Sequence, residues 1–372
     1  MNTFNLEIVI YRLFDIGHEV DLKKAQTLLN QVGQSQEFRL GKGGKAVVIE
    51  NVPLILALED SILSIDDQNF RTNITAKLWN FGALSISFRI SLPPLSPQSI
   101  LKLNSQFNDS EVLNRVANEK AQFIVNHLSK AIKKPKIWES YEEYIIYIDK
   151  TKIDDQSYIK SLTETEFLYQ LLVAEGQLPL SEKMKEPIRA NTFQYSLNDL
   201  VVVDWNSTFV RSEGDSKDIC DVIEFANVQL LELRYYDYML DKKLSSLYKE
   251  VMATKQSIFN KNFTTLNQES SQLYIEISEV VEQIENTFKV VGDMFYARVF
   301  RSALDRLKIK DWQSNVDHKL QNILYVSQLN SNEIHTKRSQ WLEIIIIILI
   351  AIEVIPFVIN LIPQFLEWLS GL

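Results

Sequence analysis

Cysteine is nearly missing from this 372-residue chain. Cys220 stands alone, so no intrachain disulfide can form, and a reducing compartment is the natural setting. Glycine and proline are scarce, at 10 and 9 residues, which argues against long flexible linkers. Proline is absent altogether from 216 to 355, the condition for long unbroken helices. Positive charge is outweighed, and the net charge of −9 disfavours general nucleic-acid binding. The N-terminal MNTFNLEIVIYRLF has no basic opening, and Glu7 and Arg12 interrupt its apolar residues, so it does not read as a signal peptide. His18, His127, His318 and His335 are scattered without HExxH or cysteine partners, which excludes a recognisable zinc site. GxSxG is absent and Cys220 has no adjacent histidine, so nucleophilic catalysis has no signature. No cofactor is implied.

What is present is a long apolar run. Between Glu343 and Gln364 lie twenty residues, fifteen of them Ile, Leu, Val or Phe. At ~1.5 Å per residue they make a helix of ~30 Å, the thickness of the hydrocarbon layer. The run holds one carboxylate, Glu353, whose central cost of roughly 3 kcal/mol is outweighed by the apolar residues at roughly −0.3 to −0.6 kcal/mol each. Trp341 and Trp368 flank it as interfacial aromatics do. Lys337 and Arg338 precede it, and no Lys or Arg occurs from 339 to the end, so the positive-inside bias holds the N-terminal bulk in the cytoplasm. Glu353, Pro356, Asn360 and Pro363 fall on one stripe of this helix, spaced 3, 4 and 3 apart. Each proline frees a carbonyl four residues back, and lipid satisfies neither that group nor an ionised carboxylate. The stripe is therefore expected to face another copy of the same helix, in a homo-oligomer. A shallow span with a water defect at Glu353 and a pore lined by a ring of Glu353 are the alternatives. A buried helix of a soluble protein is the plain reading set against all three.

Ahead of the run, strand and helix signals alternate. Leu6–Phe14, 46–50, 76–90 with a break at Gly82, 144–149 and 199–205 read as strands. Asp21 and Ser110 read as caps of helices, the second stopping near Pro135, and 163–174 is a further helix. These features predict an α+β domain over 1–210. From 215 to 251, and again from about 266 to 307, apolar residues recur at spacings of 3 and 4. A third, weaker run reaches the apolar segment from about Trp312. The expectation is a long-helix, coiled-coil-like stalk over 211–340, a transmembrane helix over 341–364 and a short external tail over 365–372.

Several polar groupings are candidates for chemistry. LGKGGKAVVIE (40–50) has the glycines of a phosphate loop, but Lys45 is followed by strand-like AVVIE rather than by Ser or Thr opening a helix, so a surface hairpin is favoured. Lys130, Lys133, Lys134 and Lys136 read as cations at a helix C-terminus, with anionic lipid or RNA contact as the functional alternative. The densest set is Glu224, Asn227, Arg234, Asp237 and Asp241 within DVIEFANVQLLELRYYDYMLDKKL (221–244). Asn227, Arg234 and Asp241 are seven apart and share a face, and Arg234 can pair with Asp237. A recognition network is one reading. A packing network that fixes helix register, with Asp204 and Trp205 as its strand partners, is favoured.

Two blocks carry a resemblance. NDLVVVDWNSTFV (198–210) runs on to the 221–244 segment with Asp204, Trp205, Glu224, Asn227, Glu232, Arg234, Asp237 and Asp241, and TKRSQWLEIIIIILIAIEV (336–354) closes with Lys337-Arg338 and Glu353. In these the sequence resembles the family required for meiotic nuclear division, also called YagE-like, a domain of unknown function. The resemblance implies a membrane-anchored protein that assembles with itself, with no catalytic residue to carry over. Without a transit peptide, it implies a bacterial cytoplasmic (inner) membrane, crossed once. The expected function is a self-assembling membrane scaffold without catalytic activity, partnered by the lipid bilayer and its own copies. The rival is an oligomeric ion channel or transporter with Glu353 and Asn360 along the path.

Overall fold

A computed structural model describes residues 3–30, 35–36, 47–49, 52–58, 60–66, 68–152, 157–174, 178–212, 214–254, 262–290 and 294–370. The chain opens on a ten-residue strand, β1 (Leu6–Asp15), followed by β2 (Glu19–Val20), α1 (Leu22–Asn30), β3 (Ser35–Gln36) and β4 (Val47–Ile49). An antiparallel run comes next: β5 (Leu54–Ala57), β6 (Ser61–Ile65), β7 (Gln68–Leu78) and β8 (Ala83–Ser91). Helices α2 (Pro97–Asn108) and α3 (Glu111–Leu128) lead through β9 (Ile132–Lys133) to β10 (Glu142–Asp149). Then follow α4 (Tyr158–Thr163), α5 (Glu166–Val173), α6 (Glu182–Ala190), β11 (Thr192–Phe193), β12 (Leu200–Val203) and β13 (Ser207–Arg211). The remainder is helical, α7 (Lys217–Thr254), α8 (Asn262–Thr287), α9 (Met294–Arg306) and α10 (Ile309–Ser370), with β14 (Phe288–Val290) after α8.

Local chemistry sets many of these boundaries. Asp21 Oδ1 accepts from the N–H of Lys24 at 3.0 Å and Ser110 Oγ from that of Leu113 at 3.3 Å, the two caps expected. The stretch 76–90 forms two strands, divided at the break expected at Gly82. Gly82 sits in the connection at φ +105, and a Cβ there would fall 1.8 Å from the carbonyl oxygen of Gly17, so only glycine lets the hairpin close. The helix predicted over 266–307 is likewise broken. Phe288–Val290 leaves the helix to pair antiparallel with Val47–Ile49. Residues 40–46 and 50 of the glycine-rich stretch lie outside the described residues. The helix capped by Ser110 ends at Leu128, earlier than the sequence suggested.

By compactness the chain divides into two units, 1–238 with 279–316 and 239–278 with 317–372. The first holds a ten-stranded sheet in the order β11-β12-β13-β10-β1-β8-β7-β5-β3, with β6 pairing β7 off that path. Its pairings are antiparallel except β10 with β13, which is parallel from Ile145 opposite Ser207 to Ile148 opposite Val210. Leu6, Ile8 and Ile10 of β1 join Ile74, Leu78, Ile86 and Phe88 in one buried cluster with Phe107 of α2 and Leu113, Ala117 and Ile124 of α3. The alternate residues Val9, Tyr11 and Leu13 are buried on the other face, where α7 lies. Burial on both faces explains why β1 reads as a nearly continuous apolar run. In the second unit, Leu240, Leu244 and Leu247 of α7, Ile277 of α8 and Leu320 and Ile323 of α10 are buried, and Lys243–Glu269 (2.9 Å) and Lys319–Asp241 (2.7 Å) tie these helices together.

The chain is thus mixed α/β, with an N-terminal sheet and C-terminal helices. α10 runs as one helix from Ile309 to Ser370, through Pro356 and Pro363. Among the described residues no helix is long and apolar enough to cross a membrane, so the expected single span is without support at this level. The side chains of Lys337, Arg338, Asn360 and Trp368 lie outside the described residues. Trp341 and Glu353 are described, and both are exposed.

Candidate functional site

The α7 face of the sheet carries an unusual number of charged groups. Lys77 of β7 reaches α7, with Nζ 2.6 Å from Asp221 Oδ1 and 2.5 Å from Glu224 Oε2. Burial alone would lower the Lys77 pKa, but the two carboxylates beside it outweigh burial and raise it. Arg89 of β8 pairs with Glu7 of β1 at 2.5 Å. At the end of β1, Asp15 faces a different environment. Asp15 and Glu232 are each 0% exposed, and none of their four carboxylate oxygens has a hydrogen-bond partner among the described residues. Burial pushes both well above the usual carboxylate range, Asp15 raises Glu232 further, and only the nearby N–H of Gly17 pulls Asp15 the other way.

A cleft of about 690 Å3 opens where the sheet ladder is incomplete. β13 begins opposite Ile145, so Glu142, Glu143 and Tyr144 pair with β1 on one side and have no strand on the other. The turn from β12 to β13, Asp204–Asn206, borders this notch. Asn227, Leu230 and Arg234 of α7 form a second wall, and the turn from α9 to α10, with Arg306, Leu307, Lys308 and Trp312, a third. Arg12 of β1 and Asn108 of α2 complete the lining. Lys308 holds φ +57, a left-handed conformation uncommon outside glycine, and so fixes the turn that presents it.

Three arginines enter this cleft, each with a carboxylate. Arg12 is 1% exposed; Nε donates to Asn114 Oδ1 at 2.7 Å, Nη1 to the Tyr11 carbonyl at 3.0 Å, and Nη2 lies 3.3 Å from Glu143 without hydrogen-bond geometry. Burial pulls its pKa down and Glu143 opposes that. Arg234 is bound to Glu142 and stands over the Trp312 ring at 5.8 Å. Burial raises the Glu142 carboxyl to about 7 even though Arg234 lowers it. Arg306 is bound to Asp204, and its Nε is buried without a hydrogen-bond partner among the described residues. Tyr144 ties the floor of the notch to the β12–β13 turn, its hydroxyl 2.7 Å from the Asp204 carbonyl and 2.8 Å from that of Ser207.

The residues singled out from sequence separate into three places. Asp204, Trp205, Asn227 and Arg234 meet around the cleft, with Asp204 behind Arg306. Glu224 joins Lys77 instead, and Asp241 pairs with Lys319 in the second unit. The single ladder of Asn227, Arg234 and Asp241 is therefore not a network, and Arg234 takes Glu142 rather than Asp237. Asp204 and Trp205 lie past the end of β12, in the turn, not in a strand. Arg12, Lys77, Glu142 and Arg306 were not foreseen. For Arg12 the available signal was a cation in the middle of an apolar strand, IVIYRLF, because such a charge must find a buried partner. Among the described residues no group of His, Cys, Asp and Glu is placed to hold a metal ion.

Fold and cleft define the class: a mixed α/β protein whose open sheet is notched beside the parallel pair β10 and β13 and whose chain continues into long helices. The chain belongs to the family described as uncharacterized protein MJ0711, N-terminal domain, whose profile matches residues 5–217. The uncharacterized protein MJ0711 of the archaeon Methanocaldococcus jannaschii is 23% identical over 218 residues, covering 58% of this chain and 65% of that relative. The match contains the whole sheet and one side of the cleft, and it stops as α7 begins. No solved structure matches the chain. These findings give a family of uncharacterized proteins. They support neither the meiotic-division or YagE-like name nor a bacterial source.

Proposed function

We propose that the chain is a membrane-anchored scaffold that assembles with copies of itself and performs no catalysis. The supporting observation is in α10. Seven successive residues, Ile344–Ile350, are each between 45 and 59% exposed, and at 100° per residue they cover every side of the helix. Fully burying one such side chain is worth ~1.5–3 kcal/mol, so leaving seven half-exposed in water costs on the order of 5–10 kcal/mol. A helix apolar all round belongs in a protein core or in lipid. The span over 344–363, with Lys337 and Arg338 on the cytoplasmic side, is part of this proposal, and so is the pairing of copies through the Glu353 stripe, since an isolated carboxylate is costly in hydrocarbon.

The test is extraction and mass. The full chain should stay with membranes through alkaline carbonate, elute from mild detergent as an oligomer, and shift towards monomer on Glu353→Leu. Release by carbonate, or a monomeric wild-type particle in detergent, refutes the proposal. Ion flux through liposomes carrying the purified chain, abolished by Glu353→Gln, would replace the scaffold with the pore.

A further inference from the structure

The notch beside β10 has the makings of a ligand site, and its chemistry is specific. We infer that this cleft binds a mononucleotide, with the phosphate held by Lys308, Arg306 and Arg12 and the base stacked on Trp205 and Trp312. A volume of about 690 Å3 suits a small organic ligand. It is too small and too enclosed by separate elements to serve as a track for a polymer, and the net charge of −9 opposes one.

The charge balance favours an anion. Four cations, Arg12, Arg234, Arg306 and Lys308, line the cleft against two carboxylates, Glu142 and Glu143, with Asp204 behind Arg306. The side chain of Lys308 is exposed and has no ion-pair partner among the described residues. Each guanidinium has five donors and one carboxylate partner, so capacity is left over. Two atoms show where: Arg12 Nη2, 3.3 Å from Glu143, and Arg306 Nε are both buried and make no hydrogen bond among the described residues. Leaving a buried charged donor unmet is costly, and a phosphate oxygen is the acceptor that guanidinium geometry suits best.

The planar surfaces explain the rest of the lining. Trp205 is 59% exposed although it sits in a tight turn between β12 and the buried start of β13, and it borders the cleft rather than filling it. Trp312, on the α9–α10 wall, and Tyr141, just ahead of β10, also line the cleft. Asn206 adds an amide oxygen that is buried and unpartnered, an acceptor for an exocyclic amino group. A bare inorganic anion would use the cations and leave the exposed Trp205 ring and this amide without a role. An uncharged aromatic would do the reverse.

The test uses the full chain in mild detergent and isothermal titration calorimetry with AMP, GMP, CMP and UMP, then with ribose 5-phosphate and inorganic phosphate. At least one nucleotide is expected to bind with one-to-one stoichiometry, and the base-free phosphates at least about tenfold more weakly, the loss of one stacking surface. Trp205→Ala and Lys308→Met alter exposed side chains, so folding should survive, as far-UV circular dichroism will show. Each should weaken the nucleotide about tenfold or more. Three results overturn the inference: no nucleotide binds up to about 5 mM, a very weak association; phosphate binds as tightly as the nucleotide; or both variants bind like the parent, which places the ligand elsewhere.

Discussion

Replacing Lys77 with methionine is the sharpest probe of how α7 is held to the sheet. The change keeps the length of the side chain and removes its charge. It leaves Asp221 and Glu224 facing each other's field with side chains only 8 and 1% exposed. Two charge-assisted contacts disappear and two carboxylates are left buried without their cation, and breaking a buried ion pair in this way costs ~3–5 kcal/mol. For a unit of this size that is a fall in Tm of roughly 10 °C. Near-ultraviolet circular dichroism reads it directly, because Trp79 lies beside Phe225 of α7 at 5.2 Å. The loss has a pH signature. Burial already raises the Glu224 carboxyl, and Lys77 is what lowers it, so without Lys77 the folded value climbs further above the unfolded one. A raised acid stabilises the fold below its unfolded pKa and loses that contribution as pH rises through the folded value, so the deficit of Lys77→Met should shrink on acidification. The triple change Lys77→Met, Asp221→Asn, Glu224→Gln should recover most of the loss, since three neutral groups of similar shape replace the ions. A single variant within about 1 kcal/mol of the parent across neutral and acid pH would refute the reasoning.

Two further outcomes are expected. Glu232→Gln removes one of two fully buried carboxyls whose pKa values are raised by burial and, for Glu232, by Asp15. Because a raised acid destabilises the fold as pH climbs past it, the variant should gain on the parent by about 1 kcal/mol or more at mildly alkaline pH and not at acid pH, as read by denaturant titration at both; a pH-independent difference counts against the assignment. Gly82→Ala should cost at least ~2 kcal/mol, or prevent folding, because φ +105 and the Gly17 carbonyl leave no place for a Cβ, and a variant with parental Tm would show that the hairpin closes differently.

The cleft also explains how far the sequence could be read. Signals carried by neighbours in the chain were legible: β1 as an apolar run, Asp21 and Ser110 as caps, long helices where proline is missing. The misreadings share one cause, a distant partner. Spacing of 3 and 4 continues through Phe288 and on to Phe295, so nothing local marks the point where Phe288–Val290 leaves the helix. What draws it away is Val47–Ile49, far back in the chain. In the same way a spacing of seven places Asn227, Arg234 and Asp241 on one face of α7 but does not say what lies opposite. Arg234 meets Glu142, 92 residues away, and Arg306 meets Asp204, 102 residues away. Both pairings depend on β13 lying parallel to β10 and starting only at Ile145, and strand order is not written in any window of sequence. The sequence does hold one usable clue to such sites. A lone Arg inside a strand buried on both faces, such as Arg12, cannot stay there unpaired, and nor can a Lys on a strand face that a helix covers, such as Lys77. Such a residue marks a place where the fold must bring an anion from another part of the chain, as Asp221 and Glu224 come to Lys77 and Glu143 to Arg12.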